Sequence, residues 1–306
     1  MPDSPTLDPS RKREGNDEPE ALVADLLRLL QLKPLGEDRF EGPRRRDGVG
    51  RVFGGQVIAQ ALVAAQATAP EDRPTHSLHA YFLRGGSEDL PVEYRVERGF
   101  DGGTFANRRV IALQEERQIL ACSVSFQRRE DGPAHQAAAM PEVPPPEELE
   151  PEDAVLERYR AEIEAHAPRI ILRPRPIEVR AADPTALLSR EPSAPEQHLW
   201  FRARAPLPDD PQVHRAVLAY FSDMRLMATC LLPHGLAFAR GDVKGASLDH
   251  AIWFHADARA DEWLLYSMTS PWSGHARGLN FGRIFTRDGR LVASTAQEGM
   301  FRPVTR

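Results

Sequence analysis

The sequence predicts an α+β fold built as a tandem duplication, and three observations carry that reading. Two blocks, about residues 21–128 and 170–306, each run from one main helix into several long antiparallel strands. Both contain an aromatic strand of similar form, His79-Ala80-Tyr81-Phe82-Leu83 and His250-Ala251-Ile252-Trp253-Phe254. Both close on a pair of strands, and Ile119-Leu120-Ala121-Cys122-Ser123 aligns with Leu291-Val292-Ala293-Ser294-Thr295 at an offset of 172.

Each element has its own signal. Residues 1–20 hold almost no large apolar side chains, so burial cannot offset the entropy of ordering them, and a disordered tail is expected. A first helix follows from Ala21, with Leu22, Leu26, Leu29 and Leu30 on one face. The main helix of the first block covers Gly55–Ala65 ahead of Pro70, and its closing strands are Ala106–Leu113 and Gln118–Gln127. Residues 129–169 form a linker, held extended by Pro141, Pro144, Pro145 and Pro146 and then helical from Ala154 to His166. In the second block a helix from Val213 to Leu232 ends at Pro233, and the strands Leu279–Thr286 and Arg290–Met300 are joined by an Arg287-Asp288-Gly289 hairpin.

Composition removes several functions. The chain of 306 residues carries 39 Lys and Arg against 45 Asp and Glu, a net charge of −6, which lacks the basic excess of a general nucleic-acid binder. All but Lys12, Lys33 and Lys244 of those cations are arginines. No apolar run approaches the roughly 18 residues of a membrane span, and the N-terminus has no apolar signal region. Cys122 and Cys230 lie in apolar runs and form no disulfide framework, so a reduced, cytoplasmic protein is expected. There is no GxSxG elbow, phosphate-binding loop, dinucleotide fingerprint, HExxH or CxxC, and the ten histidines are scattered. His250 and His255 lie five apart on a strand and face opposite sides, so no metal or other cofactor is expected.

Three polar residues in apolar context remain. Asp223 sits in Tyr220-Phe221-Ser222-Asp223-Met224-Arg225-Leu226-Met227, where an unpaired carboxylate is costly. Either Ser222 or Asp223 caps a new helical segment, or Asp223 does chemistry. Ser247 precedes an aromatic strand and reads equally as a turn hydroxyl. Gln297 follows the strand Leu291–Ala296 and reads equally as a solvated strand end.

The segments Arg51-Val52-Phe53-Gly54-Gly55-Gln56, His76–Arg84 and Asp209–His214 resemble the acyl-CoA thioesterase II enzymes. So do Ser222-Asp223, Leu248–His255, Glu262–Tyr266 and Leu291–Gly299, and the resemblance runs through most of residues 21–303. It implies a double hotdog fold, each half wrapping an antiparallel sheet around one long helix. It also implies that Asp223, Ser247 and Gln297 activate a water for hydrolysis of an acyl-CoA to free fatty acid and coenzyme A, with no covalent intermediate. Ser247 stands where the family often has Thr, and Gly85 where a proline is frequent.

The leaving thiol, with a pKa of about 8.5 by analogy with cysteine, needs little acid assistance, so no histidine is required. Backbone N–H groups at Gly54 and Gly55, or at the corresponding region of the second block, are candidates for the oxyanion hole. Tyr220, Met224, Leu226 and Met227 are candidates for an acyl tunnel, and Arg84, Arg108, Arg109, Arg277 and Arg283 for the coenzyme A phosphates. A homo-oligomer is expected by resemblance. The C-terminal Pro303-Val304-Thr305-Arg306 does not match a Ser-Lys-Leu peroxisomal address.

Two other readings are weighed. A hotdog enoyl-CoA hydratase or dehydratase sets an Asp and a His close together in one loop, whereas Asp249 and His250 are adjacent on a strand and point apart. A non-catalytic acyl-CoA binder would have no use for the polar trio.

Overall fold

The computed structural model describes residues 18–46, 48–167 and 169–304. The first half comprises α1 (Pro19–Leu30), β1 (Lys33–Gly36), β2 (Arg39–Gly42), α2 (Gly54–Gln66), β3 (Thr75–Phe82), β4 (Val92–Asp101), β5 (Phe105–Gln114) and β6 (Arg117–Gln127). The connecting segment carries α3 (Glu152–Arg158) and α4 (Arg160–His166). The second half comprises β7 (Ile177–Ala181), β8 (Glu196–Ala203), α5 (Pro211–Ser222), β9 (Val243–Ser247), β10 (Asp249–Phe254), β11 (Leu264–Gly274), β12 (Arg277–Thr286) and β13 (Leu291–Pro303).

One antiparallel sheet runs through both halves in the order β1-β2-β4-β5-β6-β3-β10-β13-β12-β11-β8-β7, with β9 paired on β13. The order is nearly a mirror about the β3–β10 seam, where Leu78 faces Ile252 and Ala80 faces His250. Helices α2 and α5 lie against each other inside this sheet. Helix α2 is buried along almost its whole length, from Gly55 to Gln66 with Val63 partly exposed, because apart from Gln56, Gln60 and Gln66 its residues are small or apolar all round. Helix α5 is started by Asp210, whose side chain accepts from Gln212 N at 2.8 Å, with Pro211 at the first helical position. This is the double hotdog architecture, an α+β fold.

Several elements differ from the sequence reading. Helix α1 begins at Pro19, inside the segment expected to be disordered, while residues 1–17 lie outside the described residues. Its buried face is Val23, Leu26, Leu29 and Leu30, with Leu22 only partly covered. The linker helix is split at Tyr159. The long helix expected to reach Leu232 stops at Ser222, and Leu226–His234 winds as a 3-10 helix instead. Arg225 stands between them with φ 70°, a left-handed conformation unfavourable for a side chain of that size. The Gln197 amide supports it by donating to Arg225 O at 3.2 Å.

Strand β13 continues to Pro303, so Gln297 is a mid-strand residue and not a solvated end. The offset of 172 is also one residue away from true equivalence. Cys122, Val124 and Phe126 point inward, and so do Ala293, Thr295 and Gln297. The 172-offset partners Ser294 and Ala296 are partly exposed. One residue of slip moves every side chain to the other face.

The proline-rich part of the linker lies on the second half. Trp200 Nε1 donates to Pro144 O at 2.9 Å, and Trp200, Leu265 and Phe285 pack with Met140 and Val143. No helix among the described residues is long and apolar enough to cross a membrane.

Candidate active site

Helix α5 ends in the middle of the molecule, and its C-cap residue is Asp223. The capping alternative for this position fails: neither Ser222 nor Asp223 caps the following 3-10 helix, whose N-cap is Arg225 with no side-chain cap bond. Strand β13 brings up Gln297, which donates from Nε2 to Asp223 Oδ1 at 2.6 Å. Strand β9 pairs with β13, Ser247 opposite Gly299, and points the Ser247 hydroxyl at the same carboxylate oxygen at 3.5 Å. The third contact crosses between halves, from the backbone N–H of Gly55 at the start of α2. Burial raises the Asp223 pKa above the ordinary carboxylate value, against the hydrogen bonds of Gln297, Gly55 and Ser247, which lower it.

The glycines here are a packing requirement. A Cβ on Gly54 would lie 2.7 Å from Asp223 Oδ2, and one on Gly55 2.2 Å from Tyr220 O. Only a bare backbone lets α2 approach the end of α5 so closely.

Behind this cluster lies a residue the sequence reading set aside. His250 is 1% exposed, Nδ1 3.1 Å from Gln297 Nε2 and Nε2 2.8 Å from Ser222 Oγ. Burial pushes its pKa down to about 3, so it is neutral at physiological pH. The signal for it was a histidine in the otherwise apolar strand Asp249–Phe254, at an inward position.

A cavity of about 640 Å³ opens beside the carboxylate. Asp223, Ser247, Gly54 and Met224 line it, with an apolar wall that includes Phe82, Met227, Phe238 and Met300. Gln297 does not reach the cavity; it is fully buried and touches Asp223 from behind. Among the described residues there is no cluster of metal-ligating side chains.

Residues 174–300 match the family model for acyl-CoA thioesterase, and residues 43–127 match that for the acyl-CoA thioesterase N-terminal domain. The chain belongs to the acyl-CoA thioesterase II family. It is 42% identical to acyl-coenzyme A thioesterase 8 of Rattus norvegicus, covering 90% of this chain and 88% of that protein. It is 37% identical to acyl-CoA thioesterase 2 of Haemophilus influenzae, covering 92% and 98%. The crystal structure of an acyl-CoA thioesterase II from Mycobacterium marinum superposes with a TM-score of 0.75 at 38% identity, covering 92% of this chain and 99% of that one.

In this acyl-CoA thioesterase the five arginines singled out from sequence are scattered. Arg84 lines the cavity and donates from Nη1 to Gln118 O at 2.9 Å. Arg108 is fully buried and bound to Thr68 and Asp101, so it is a core residue and not a phosphate ligand. Arg109 and Arg283 alternate with the inward residues Val110 and Ile284 and therefore point to the outer face of the sheet. Arg277 pairs with Glu298 at 3.0 Å and lies over Trp272. Tyr220 is buried against Phe53 and, like Leu226, does not line the cavity, whereas Met224 and Met227 do.

The cavity arginines missed from sequence are Arg51, Arg175 and Arg225. Arg175 and Arg225 share the buried Glu152 of the linker, at 3.0 Å and 3.3 Å. Arg51 is exposed, like Arg84.

Proposed function

We propose that this thioesterase hydrolyses acyl-CoA to a free fatty acid and coenzyme A through a water activated by Asp223, Ser247 and Gln297. The observation that carries the reading is a carboxylate of raised pKa on the wall of a largely apolar cavity, held by two side chains from β9 and β13. Asp223 takes a proton from water as its oxygen attacks the thioester carbonyl. Ser247 faces the cavity and orients that water, while Gln297 acts on it through the carboxylate.

The carbonyl electrons move onto oxygen, where the backbone N–H of Gly54 and the positive end of α2 meet the negative charge, the Gly55 N–H being held by Asp223. Gly54 borders the cavity at this point, which favours α2 over the corresponding region of the second half as the oxyanion site. Collapse of the intermediate breaks the carbon–sulfur bond. The thiolate leaves and the Asp223 proton passes to it or to solvent, with no covalent enzyme intermediate.

The acyl chain occupies the space bounded by Met224, Met227, Phe238 and Met300. Arg51 and Arg84, exposed at the cavity, are the candidates for coenzyme A phosphates. Thiol release measured across a panel of acyl-CoA chain lengths tests the reading. Turnover that depends on Asp223 supports it, whereas tight binding without thiol release would make the protein a carrier.

A further inference from the structure

Gln297 can serve Asp223 only if its amide faces the right way, and an amide side chain has two senses of nearly equal shape. The structure shows what chooses between them. Ser222 Oγ lies 3.0 Å from Ala219 O and gives that carbonyl its single hydrogen. It therefore has only lone pairs for His250 Nε2 at 2.8 Å, so the imidazole carries its hydrogen on Nε2 and leaves Nδ1 bare. Bare Nδ1 accepts one N–H of Gln297 at 3.1 Å, and Asp223 Oδ1 accepts the other at 2.6 Å. Gln297 Oε1 has no hydrogen-bond partner among the described residues, so the amide is held by its nitrogen alone.

We propose that His250, in its neutral Nε2–H form, is a positioning residue: anchored by Ser222, it fixes the sense of the Gln297 amide and so keeps a donor on the catalytic carboxylate. It acts through Gln297 and does not line the cavity. The inference rests on Asp223 being the base. A proton on Nδ1 would oppose an N–H with an N–H, and turning the amide to relieve that contact would set the Gln297 oxygen against the Asp223 carboxylate, so one repulsive contact remains in either sense. Apart from Gln297, the groups facing Asp223 are the Gly55 N–H, the Ser247 hydroxyl and the Tyr266 phenol, whose pKa is driven well above its usual value. None carries charge at neutral pH. Among the described residues the hydrogen bonds that lower the Asp223 pKa come from neutral donors, while Arg51, Arg84, Arg175 and Arg225 share the cavity without a bond to the carboxylate.

Three variants separate positioning from simple packing. Asparagine places its side-chain oxygen near the Nδ1 position, whereas glutamine reaches the Nε2 position and leucine offers neither. His250→Asn should retain most of the parental kcat. His250→Gln and His250→Leu should lose about tenfold in kcat with KM unchanged, the worth of a hydrogen bond to a charged group. In both, the acid limb of the pH–rate profile should move to higher pH, because Asp223 loses the donor that lowers its pKa. On folded parental enzyme, 15N spectra of labelled histidine, with His250 assigned by the signal missing from His250→Asn, should show Nδ1 unprotonated.

Parental kcat and an unmoved acid limb in His250→Leu would overturn the proposal, as would a proton found on Nδ1. Asp223→Asn keeps the two levels apart. If it is inactive while His250→Leu behaves as parent, only the positioning role falls. If it is as active as parent, the assignment of Asp223 as the base falls, and the tautomer measurement still judges the orientation of Gln297.

Discussion

In the first half, α2 runs unbroken from Gly54 to Gln66, and β6 points Cys122, Val124 and Phe126 inward. In the second half the corresponding helix stops at Ser222, Arg225 turns left-handed, and β13 points Ala293, Thr295 and Gln297 inward. The backbone frame is shared, yet the side chains proposed for chemistry lie in one copy. What the first half contributes is backbone: the start of α2, made of Gly54 and Gly55, pressed against Asp223. Buried polar groups carry a desolvation cost, and the duplication lets β6 keep Phe126 apolar where β13 carries that cost at Gln297. The first half does bury Gln60, but the Leu29 and Pro43 carbonyls and the Tyr94 hydroxyl satisfy its amide.

Substitutions that make one half imitate the other test this division. The largest effect is expected from Asp223→Asn, which removes the proposed base: kcat for thiol release should fall by about 10²- to 10⁴-fold. Next is a reciprocal pair. Gln297→Leu should lower kcat by about ten- to a hundredfold with the fold intact, since it removes a donor to a charged group. Phe126→Gln should leave the activity of the folded fraction in place but cost at least about 3 kcal/mol in denaturant unfolding, by losing aromatic packing and burying an amide. Equal effects of the two on catalysis would erase the distinction between the halves.

Gly54→Ala probes the backbone contribution. Its Cβ would fall 2.7 Å from Asp223 Oδ2, so the carboxylate must shift: a drop in kcat of about tenfold is expected in the folded enzyme, with the melting temperature lowered by the overpacking.

A fourth prediction concerns pH and stability. The folded-state pKa of Asp223 is raised, so above it the native state holds a carboxylate that the unfolded chain solvates better. That penalty is relieved as pH falls through the raised value toward the ordinary one. Asp223→Asn should therefore melt higher than parent at neutral pH, with the gain shrinking on acidification. Parental turnover should fall over the same acid range, as the base takes up its proton.

The smallest effects belong to the arginines. Arg51→Ala and Arg84→Ala should raise KM, while Arg109→Ala and Arg283→Ala, on the outer sheet face, should change nothing in thiol release. Arg108→Ala should spare KM and destabilise by ~3 kcal/mol, because it leaves a cavity and removes the donor to the Thr68, Phe100 and Asn107 carbonyls.

The duplication and the strand pairs were legible because strand periodicity and the Arg287-Asp288-Gly289 turn are local signals. The trio was legible through motifs in order along the chain. What failed was set by tertiary structure. Nothing between Ser222 and Pro233 is a helix breaker, so the turn at Arg225 could not be read; it depends on Gln197, from a distant strand. The arginines depended on which face of a strand each occupies, a matter of one residue. His250 was weighed as a metal ligand and set aside, and its link to Gln297 was not legible because Ser222 and Gln297 are far from it in sequence and only folding brings them together.

The seam between β3 and β10 has a consequence for how the chain is made. Strand β3 finishes at Phe82, but its second partner begins only at Asp249. While the intervening residues are synthesised, the nascent first half presents an open strand edge along Leu78 and Ala80, the kind of surface that recruits other chains. Closing it demands a contact of very long sequence separation, so folding of the seam should be slow and late. Since Asp223, the proposed base, is supported from α2, assembly of the site should wait on the joining of the halves, and in the interval the growing chain depends on whatever shields its edge.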